Sequence, residues 1–230
     1  MNINKHKEFF DPSMLEEDIH IIGCGAVGST IAEMFARIGC SDIHLWDMDV
    51  VTAHNIANQM FRDKDIDQPK VTALEDIMKE INPAIKLTLH EQGYQKVYDK
   101  HPLLTGYVFL CVDNIDLRRE IVEAHLGNPN IKAMFDCRMR LTDAQHYAAN
   151  WADAKQKENL LATMQFSHEE AKEATPVSAC GTTLSIVPTV RTLCSVCVAN
   201  MINFFRTSSI NTMVLVDPFY GVLDSYAPKA

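Results

Sequence analysis

The chain has 230 residues, 47% of them hydrophobic, and a formal net charge of −9. That length supports one sizeable core, and an acidic balance without a polybasic run argues against nucleic acid and anionic membrane as partners. Seven scattered cysteines, no long apolar stretch and no apolar N-terminal signal core point to a cytoplasmic setting.

Residues 1–17 read as a polar lead-in. A short apolar run over 18–23 has the character of a strand and feeds Gly23-Cys24-Gly25-Ala26-Val27-Gly28. A helical pattern follows over 26–39. A second strand over 42–47 ends in Asp47-Met48-Asp49, and residues 48–66 are polar and irregular. The next helix is expected over 68–82, with Pro69 in its first turn and Asn82-Pro83 ending it. Residues 84–89 alternate like a strand. The continuous apolar run 107–111 has the pattern of a strand buried on both faces, and it closes on Val112-Asp113-Asn114. A helix to about 127 and strands over 131–135 and 145–151 follow.

The texture then changes. Residues 152–187 are polar at first and read as a mobile crossover segment, with Ser167 and Glu170 spaced as the capping box of a short helix. An apolar helix is expected over 189–206. Strands over 213–216 and 222–226 flank Asp217-Pro218-Phe219-Tyr220-Gly221, a hairpin signal. The expected fold is therefore α/β and Rossmann-like, with a mostly parallel sheet flanked by helices and a C-terminal antiparallel hairpin. One domain is expected over 1–230, with a nucleotide-binding part over 18–140 and a C-terminal helix and hairpin over 189–227.

In such sheets ligands bind at the carboxyl ends of the strands. The glycine turn, Asp47, Asp49 and Asp113 all fall there. Gly23 permits a tight turn, Gly25 lets backbone N–H groups approach phosphates, and Gly28 lets helix and strand pack closely. The glycine turn with Asp47 alone suits a dinucleotide. Lys70 in the first turn of a helix and Asp113 at a strand end shift the balance. A lysine holds phosphate as a point charge, and a carboxylate can hold Mg²⁺. Together they suit a triphosphate better than a nicotinamide.

The ordered motifs GCGAVG, DMD, HNIANQ, DIDQPK and CVDN resemble the ThiF/MoeB family, the ubiquitin-activating-enzyme-like adenylyltransferases. The resemblance is good over 18–140 and looser over 175–227. It implies ATP and Mg²⁺ as cofactors and transfer of AMP to a C-terminal carboxylate, with release of pyrophosphate. The implied partner is a small ubiquitin-like, β-grasp protein or a peptide with a free C-terminus, and the implied assembly is a homodimer. It further implies that Gly23, Gly25 and Gly28 form the phosphate loop and that Asp47 holds the ribose. Asp49, Asn55, Asn58, Gln59 and Asn114 join the nucleotide site, Lys70 contacts phosphate and Asp113 holds the metal.

The chain departs from the family pattern in places. Asn58 stands where the family has an arginine, and Arg62 is the candidate replacement for its charge. Residues 1–17 contain no arginine. The family's two zinc-binding CxxC pairs are reduced to Cys194 and Cys197 within an apolar helical pattern, so core packing and no zinc are expected. Cys180 resembles the family cysteine that takes the activated carboxylate. Arg118 and Arg119 are expected to pair at the surface with Glu120 or Glu123. Arg138 and Arg140 are candidates for steering a carboxylate tail. His90, His125 and His146 show no metal-ligand spacing. The rival readings are a degenerate nucleotide- or partner-binding module and, behind it, an NAD-dependent oxidoreductase.

Overall fold

In the computed structural model, residues 1–94, 104–178 and 184–226 are described. Eight strands form one sheet in the order β3-β2-β1-β4-β5-β6-β7-β8. Strands β1 (Ile19–Ile22), β2 (Ile43–Trp46), β3 (Leu87–His90), β4 (Gly106–Leu110) and β5 (Ile131–Met139) are parallel. β6 (Ala144–Asn150), β7 (Met213–Asp217) and β8 (Val222–Tyr226) continue it in antiparallel pairing. The α/β class and the mostly parallel sheet with a C-terminal hairpin hold. The antiparallel part also includes β6, which folds back on β5 across residues 140–143.

Helices cover both faces. One face carries α1 (Ala26–Ile38), α2 (Lys70–Ile81) and α6 (Val187–Thr207), packed over Ile21, Leu45, Phe109 and Phe135. The other carries α3 (Ile115–His125) and α4 (Ala154–Ala162), packed over Ile22, Trp46, Val108 and Met134. Side chains such as Phe35, Phe109 and Phe135 are fully buried, each worth about 1.5–3 kcal/mol of transfer free energy. Among the described residues, no helix is long and apolar enough to cross a membrane.

Local chemistry sets the helix ends. Gly39 takes a left-handed φ of 89° and terminates α1, a conformation that a residue with a Cβ resists. Asn114 caps α3 by accepting from the Asp116 and Leu117 N–H groups. The Ser167–Glu170 capping box starts the short α5 (His168–Glu173), as its spacing predicts. The sequence reading has no α4. That helix is polar on most of its surface, buries only Leu160, and starts because Asp153 accepts from Lys155 and Gln156 N–H. Pro69 is the N-cap of α2 rather than part of its first turn, which makes Lys70 the first helical residue.

A buried charged cluster ties the two halves of the sheet. Asp136 on β5 is fully buried and pairs with Arg118 from α3 and with Arg138 Nε at 2.7 Å. Arg118 also donates to the carbonyls of Val112 (2.7 Å from Nε), Leu110 (3.2 Å) and Cys137 (2.8 Å). Arg138 reaches α4's end, donating to Thr163 O at 2.7 Å and Thr163 Oγ1 at 2.8 Å. Arg118 is thus buried, not paired with Glu120 or Glu123 at the surface. Its interior position follows from α3 placing it directly over the end of β4. Arg138 is committed to Asp136, and Arg140 pairs with Asp143 across the β5–β6 turn. Neither guanidinium is left free to steer a tail.

Burial opposes ionisation of Asp136, but Arg118 and Arg138 outweigh it and hold the carboxyl below its ordinary value of 3.8. A depressed carboxyl contributes stability that is present above the unfolded value and lost as pH falls through the folded one. Asp136→Asn leaves two guanidinium groups buried without their counter-charge. Denaturant melts at neutral pH are expected to show a loss of roughly 3–5 kcal/mol. The variant should also lose less stability than the parent as pH falls below about 4.

Candidate functional site

The carboxyl ends of β1, β2 and β4 converge on the glycine turn. Gly23 has φ +94°, and a Cβ there would sit 2.7 Å from Val112 N. A Cβ on Gly28 would lie 1.8 Å from Gly23 O. These two glycines are therefore required by packing, and they press α1 against the end of β1. Gly25 differs, because among the described residues a Cβ there would meet nothing within 4 Å. It is the N-cap of α1 and makes no side-chain cap hydrogen bond. The open space and the uncapped helix start form a cradle for an anionic ligand.

Asp47 stands beside this turn. Its Oδ2 accepts from Cys24 N at 2.6 Å and its Oδ1 from Asp49 N at 2.9 Å. Burial pushes its carboxyl above the ordinary value, against the opposing pull of Lys70 and the two N–H donors. The chain after β2 is zipped to the start of α2: Lys70 N donates to Asp49 O at 2.9 Å and Val51 N to Gln68 O at 2.9 Å. The same zipper brings Lys70 Nζ to Asp49 Oδ2 at 2.7 Å. The Lys70 side chain is buried while the Asp49 carboxylate is exposed, so the ammonium is held at the pocket wall by a partner that faces water.

Other candidates divide. Asp113 is exposed at the end of β4, and the Arg118 bonds to Leu110 and Val112 fix the backbone that presents it. Asn114 spends its Oδ1 on capping α3, and Asn55 accepts from Thr52 N at 2.8 Å in a turn of its own. Asn58 donates to Ser185 Oγ, just before α6. Gln59 Oε1 is buried and has no hydrogen-bond partner among the described residues. Arg62 is drawn away from the pocket to Asp65 (3.0 Å) and Glu80 (2.6 Å). Its charge is neutralised there, which removes the geometric basis for its replacing an arginine at 58. Cys180 lies outside the described residues.

Sequence reasoning missed two arrangements. Cys137 and His146 are cross-strand partners in the β5–β6 register, with Sγ and Nδ1 3.8 Å apart, and Cys197 on α6 completes a buried trio. His146 is therefore clustered with two cysteines although its spacing in sequence gives no sign of it. Asn200 accepts from Asn211 N and donates to Asn211 O, so its Nδ2 also faces His146 Nε2 as a donor, at 2.9 Å. That leaves the ring proton on Nδ1, directed at the Cys137 sulfur. Hydrogen bonding from Cys197, against burial and with help from His146, pulls the Cys137 thiol down to about 6. Cys194 and Cys197 are both fully buried in the core.

The second is Arg191 on α6. Its guanidinium donates to Thr30 Oγ1 of α1 at 3.3 Å and contacts Met60 Sδ at 2.8 Å. Helix α6 starts at the same edge of the sheet as α1, fixed by Thr189 Oγ1 donating to Leu141 O at 2.9 Å.

The two kinds of glycine are separable experimentally. Gly25→Ala is expected to cost less than about 1 kcal/mol of stability, since the site is open and its φ of −76° is ordinary. Gly28→Ala is expected to cost at least about 3 kcal/mol, because backbone blocks the new methyl. Thermal or denaturant unfolding of the two variants checks the contrast.

Comparison with known proteins converges on one family. The ThiF family model matches residues 11–221. The sulfur carrier protein ThiS adenylyltransferase of Escherichia coli is 33% identical over 124 residues, 52% of this chain and 49% of that protein. A ubiquitin-like modifier-activating enzyme 5 from Dictyostelium discoideum is 29% identical over 119 residues, 46% of this chain and 31% of that protein. The chain thus matches about a third to a half of the length of these curated relatives. Among solved structures, E. coli MccB with ATP superposes with a TM-score of 0.71 at 15% identity, covering 93% of this chain and 64% of that one. E. coli tRNA N6-threonylcarbamoyladenosine dehydratase gives 0.67 at 17% identity, over 90% and 94%. At such identities the structural likeness speaks for the fold alone. The matched span covers most of the chain and includes the glycine turn, Asp47, Lys70 and Asp113, and the protein belongs to the ThiF family.

Proposed function

We propose that this protein is an ATP·Mg²⁺-dependent adenylyltransferase that activates the C-terminal carboxylate of a small ubiquitin-like protein or peptide. The observation that carries this reading is the convergence of an open glycine cradle, a buried lysine and an exposed strand-end aspartate at one sheet edge. The names of the relatives, which include activators of a sulfur carrier and of a ubiquitin-like modifier, support the substrate class.

The residues fit their roles. The uncapped N–H groups at the start of α1 face an anion, and Gly25 leaves room for it. Lys70 supplies a fixed positive charge. Asp113 offers hard oxygen donors suited to Mg²⁺, which when bound would neutralise charge on the triphosphate. Asp47 serves first as a strut that holds Cys24 N and then as an acceptor for a ribose hydroxyl. The partner's carboxylate oxygen attacks the α-phosphorus, the bond to pyrophosphate breaks, and an acyl-adenylate forms. The nucleophile is already ionised, so no strong base is required of the protein. Its work is orientation and stabilisation of the leaving pyrophosphate. The same reading carries a homodimer and a cytoplasmic setting.

One observation favours a binding module without chemistry: Arg62, the expected stand-in for a phosphate-gripping arginine, is occupied by Asp65 and Glu80. ATP–pyrophosphate exchange driven by a candidate carboxylate partner separates the two readings. Thermal shift tests the pocket itself, because a ligand that binds only the folded state raises the melting temperature. ATP with Mg²⁺ is expected to give a shift that Asp113→Ala abolishes, while NAD gives none. An unchanged shift in Asp113→Ala would remove that residue from the metal role, and a shift with NAD alone would overturn the proposal. Lys70→Ala is expected to weaken ATP roughly tenfold while changing AMP little, as for one lost charge-assisted contact. Equal losses for the two nucleotides would place Lys70 elsewhere.

A further inference from the structure

Most arginines of the protein are already neutralised. Arg37, Arg62, Arg118, Arg119, Arg138 and Arg140 each pair with a carboxylate. Arg206 lies over the Phe9 ring near the far end of α6. Among the described residues, Arg191 has only a hydroxyl and a thioether as partners, Thr30 Oγ1 and Met60 Sδ. Among the same residues no carboxylate pairs with this half-buried guanidinium, so its charge is left for solvent or an incoming anion to balance.

Its position gives that charge a direction. Thr30 lies one turn into α1, its hydroxyl donating to Ala26 O at 2.8 Å, so the guanidinium rests one helical turn below the uncapped start of α1. Met60 N donates to Ser29 Oγ at 3.2 Å, which lays the 58–60 segment across the same turn. Asn58 is tied to Ser185, at the foot of α6. The guanidinium therefore sits where α1, α6 and the 58–60 segment meet. Gln59, between Asn58 and Met60 on the same segment, has an Oε1 that is buried and, among the described residues, unpartnered. Exchanging a thioether and one hydroxyl for an anion costs the guanidinium little.

We infer that Arg191 is a polyphosphate-binding residue of the glycine-turn site, supplying from α6 the guanidinium charge that Asn58 cannot supply from its own segment. This inference rests on the adenylyltransferase reading and adds a residue to it. A guanidinium offers up to five donors in a planar fork and matches phosphate oxygens better than an amide does. The contact would form with the outer phosphates, beyond the part of the nucleotide that AMP retains.

The test is equilibrium binding by calorimetry to the full chain, with ATP·Mg²⁺ and AMP, for wild type, Arg191→Gln, Arg191→Lys and the double variant Asn58→Arg/Arg191→Gln. Arg191→Gln is expected to weaken ATP by roughly 10- to 100-fold, the worth of a charge-assisted contact, and AMP by much less. Arg191→Lys should recover part of the loss. Asn58→Arg in the Arg191→Gln background should recover most of it, a rescue that a purely structural role for Arg191 would not give. Ligand-free melts of each variant separate binding from folding, and Arg191→Lys keeps the test open should the glutamine variant unfold. Equal losses for ATP and AMP, or unchanged ATP binding in Arg191→Gln, would overturn the inference and leave the proposed function standing. Wild-type protein that binds no ATP would overturn both.

Discussion

A buried charged cluster constrains the end of β4, and the site depends on it. Arg118 hydrogen-bonds the carbonyls of Leu110 and Val112 and pairs with Asp136, which in turn holds Arg138 and through it the end of α4. One carboxylate thus couples two strands and two helices from inside a low-dielectric core. Buried ion pairs of this kind add little net stability over an apolar replacement, but they are costly to break singly. Their value here is positional: the chain leaving β4 has one place to go, and Asp113 is the next residue along it.

The glycine turn imposes a second constraint of a different kind. Gly28 lies so close to Gly23 O that a methyl would not fit, so α1 cannot slide along β1. Asp47 then locks the turn to β2 through Cys24 N, and the zipper from Asp49 to Lys70 locks β2 to α2. Steric closure, a short hydrogen bond and an ion pair act in series. The resulting pocket wall is preformed, and a ligand entering it need not pay for ordering these elements.

Local signals carried most of this architecture into the sequence. The apolar runs of β1 and β4, the glycine spacing and the Ser167–Glu170 box each depend on neighbours a few residues apart. The failures share a physical cause. Arg118 reads as a surface residue because its partner Asp136 arrives from another strand. Cys137 and His146 meet only because β5 and β6 pair antiparallel in one register, and neither residue type announces that register. Helix α4 buries a single large side chain, so its apolar periodicity is faint. Arg191 sits in a helix otherwise apolar enough to look like pure core, and its meaning depends on α1 lying alongside. Of the candidate site, strand-end reasoning gathers the glycines, Asp47, Asp49 and Asp113, and Lys70 joins them as a phosphate-binding charge in the first turn of the next helix. The diversion of Arg62 to Asp65 and Glu80 is not legible in this way, because competing acids on α2 and its approach decide it.

Helices α1 and α6 both begin at the sheet edge that carries the glycine turn, in a chain whose net charge is −9. Their aligned dipoles make that rim locally positive, while the molecule as a whole repels an anion approaching from afar. The two fields differ in range. Salt screens the distant repulsion first and reaches the short-range attraction inside the partly buried rim much less. The kinetic consequence runs against the usual pattern of charged recognition: moderate salt should speed, not slow, the encounter of a nucleotide with this edge.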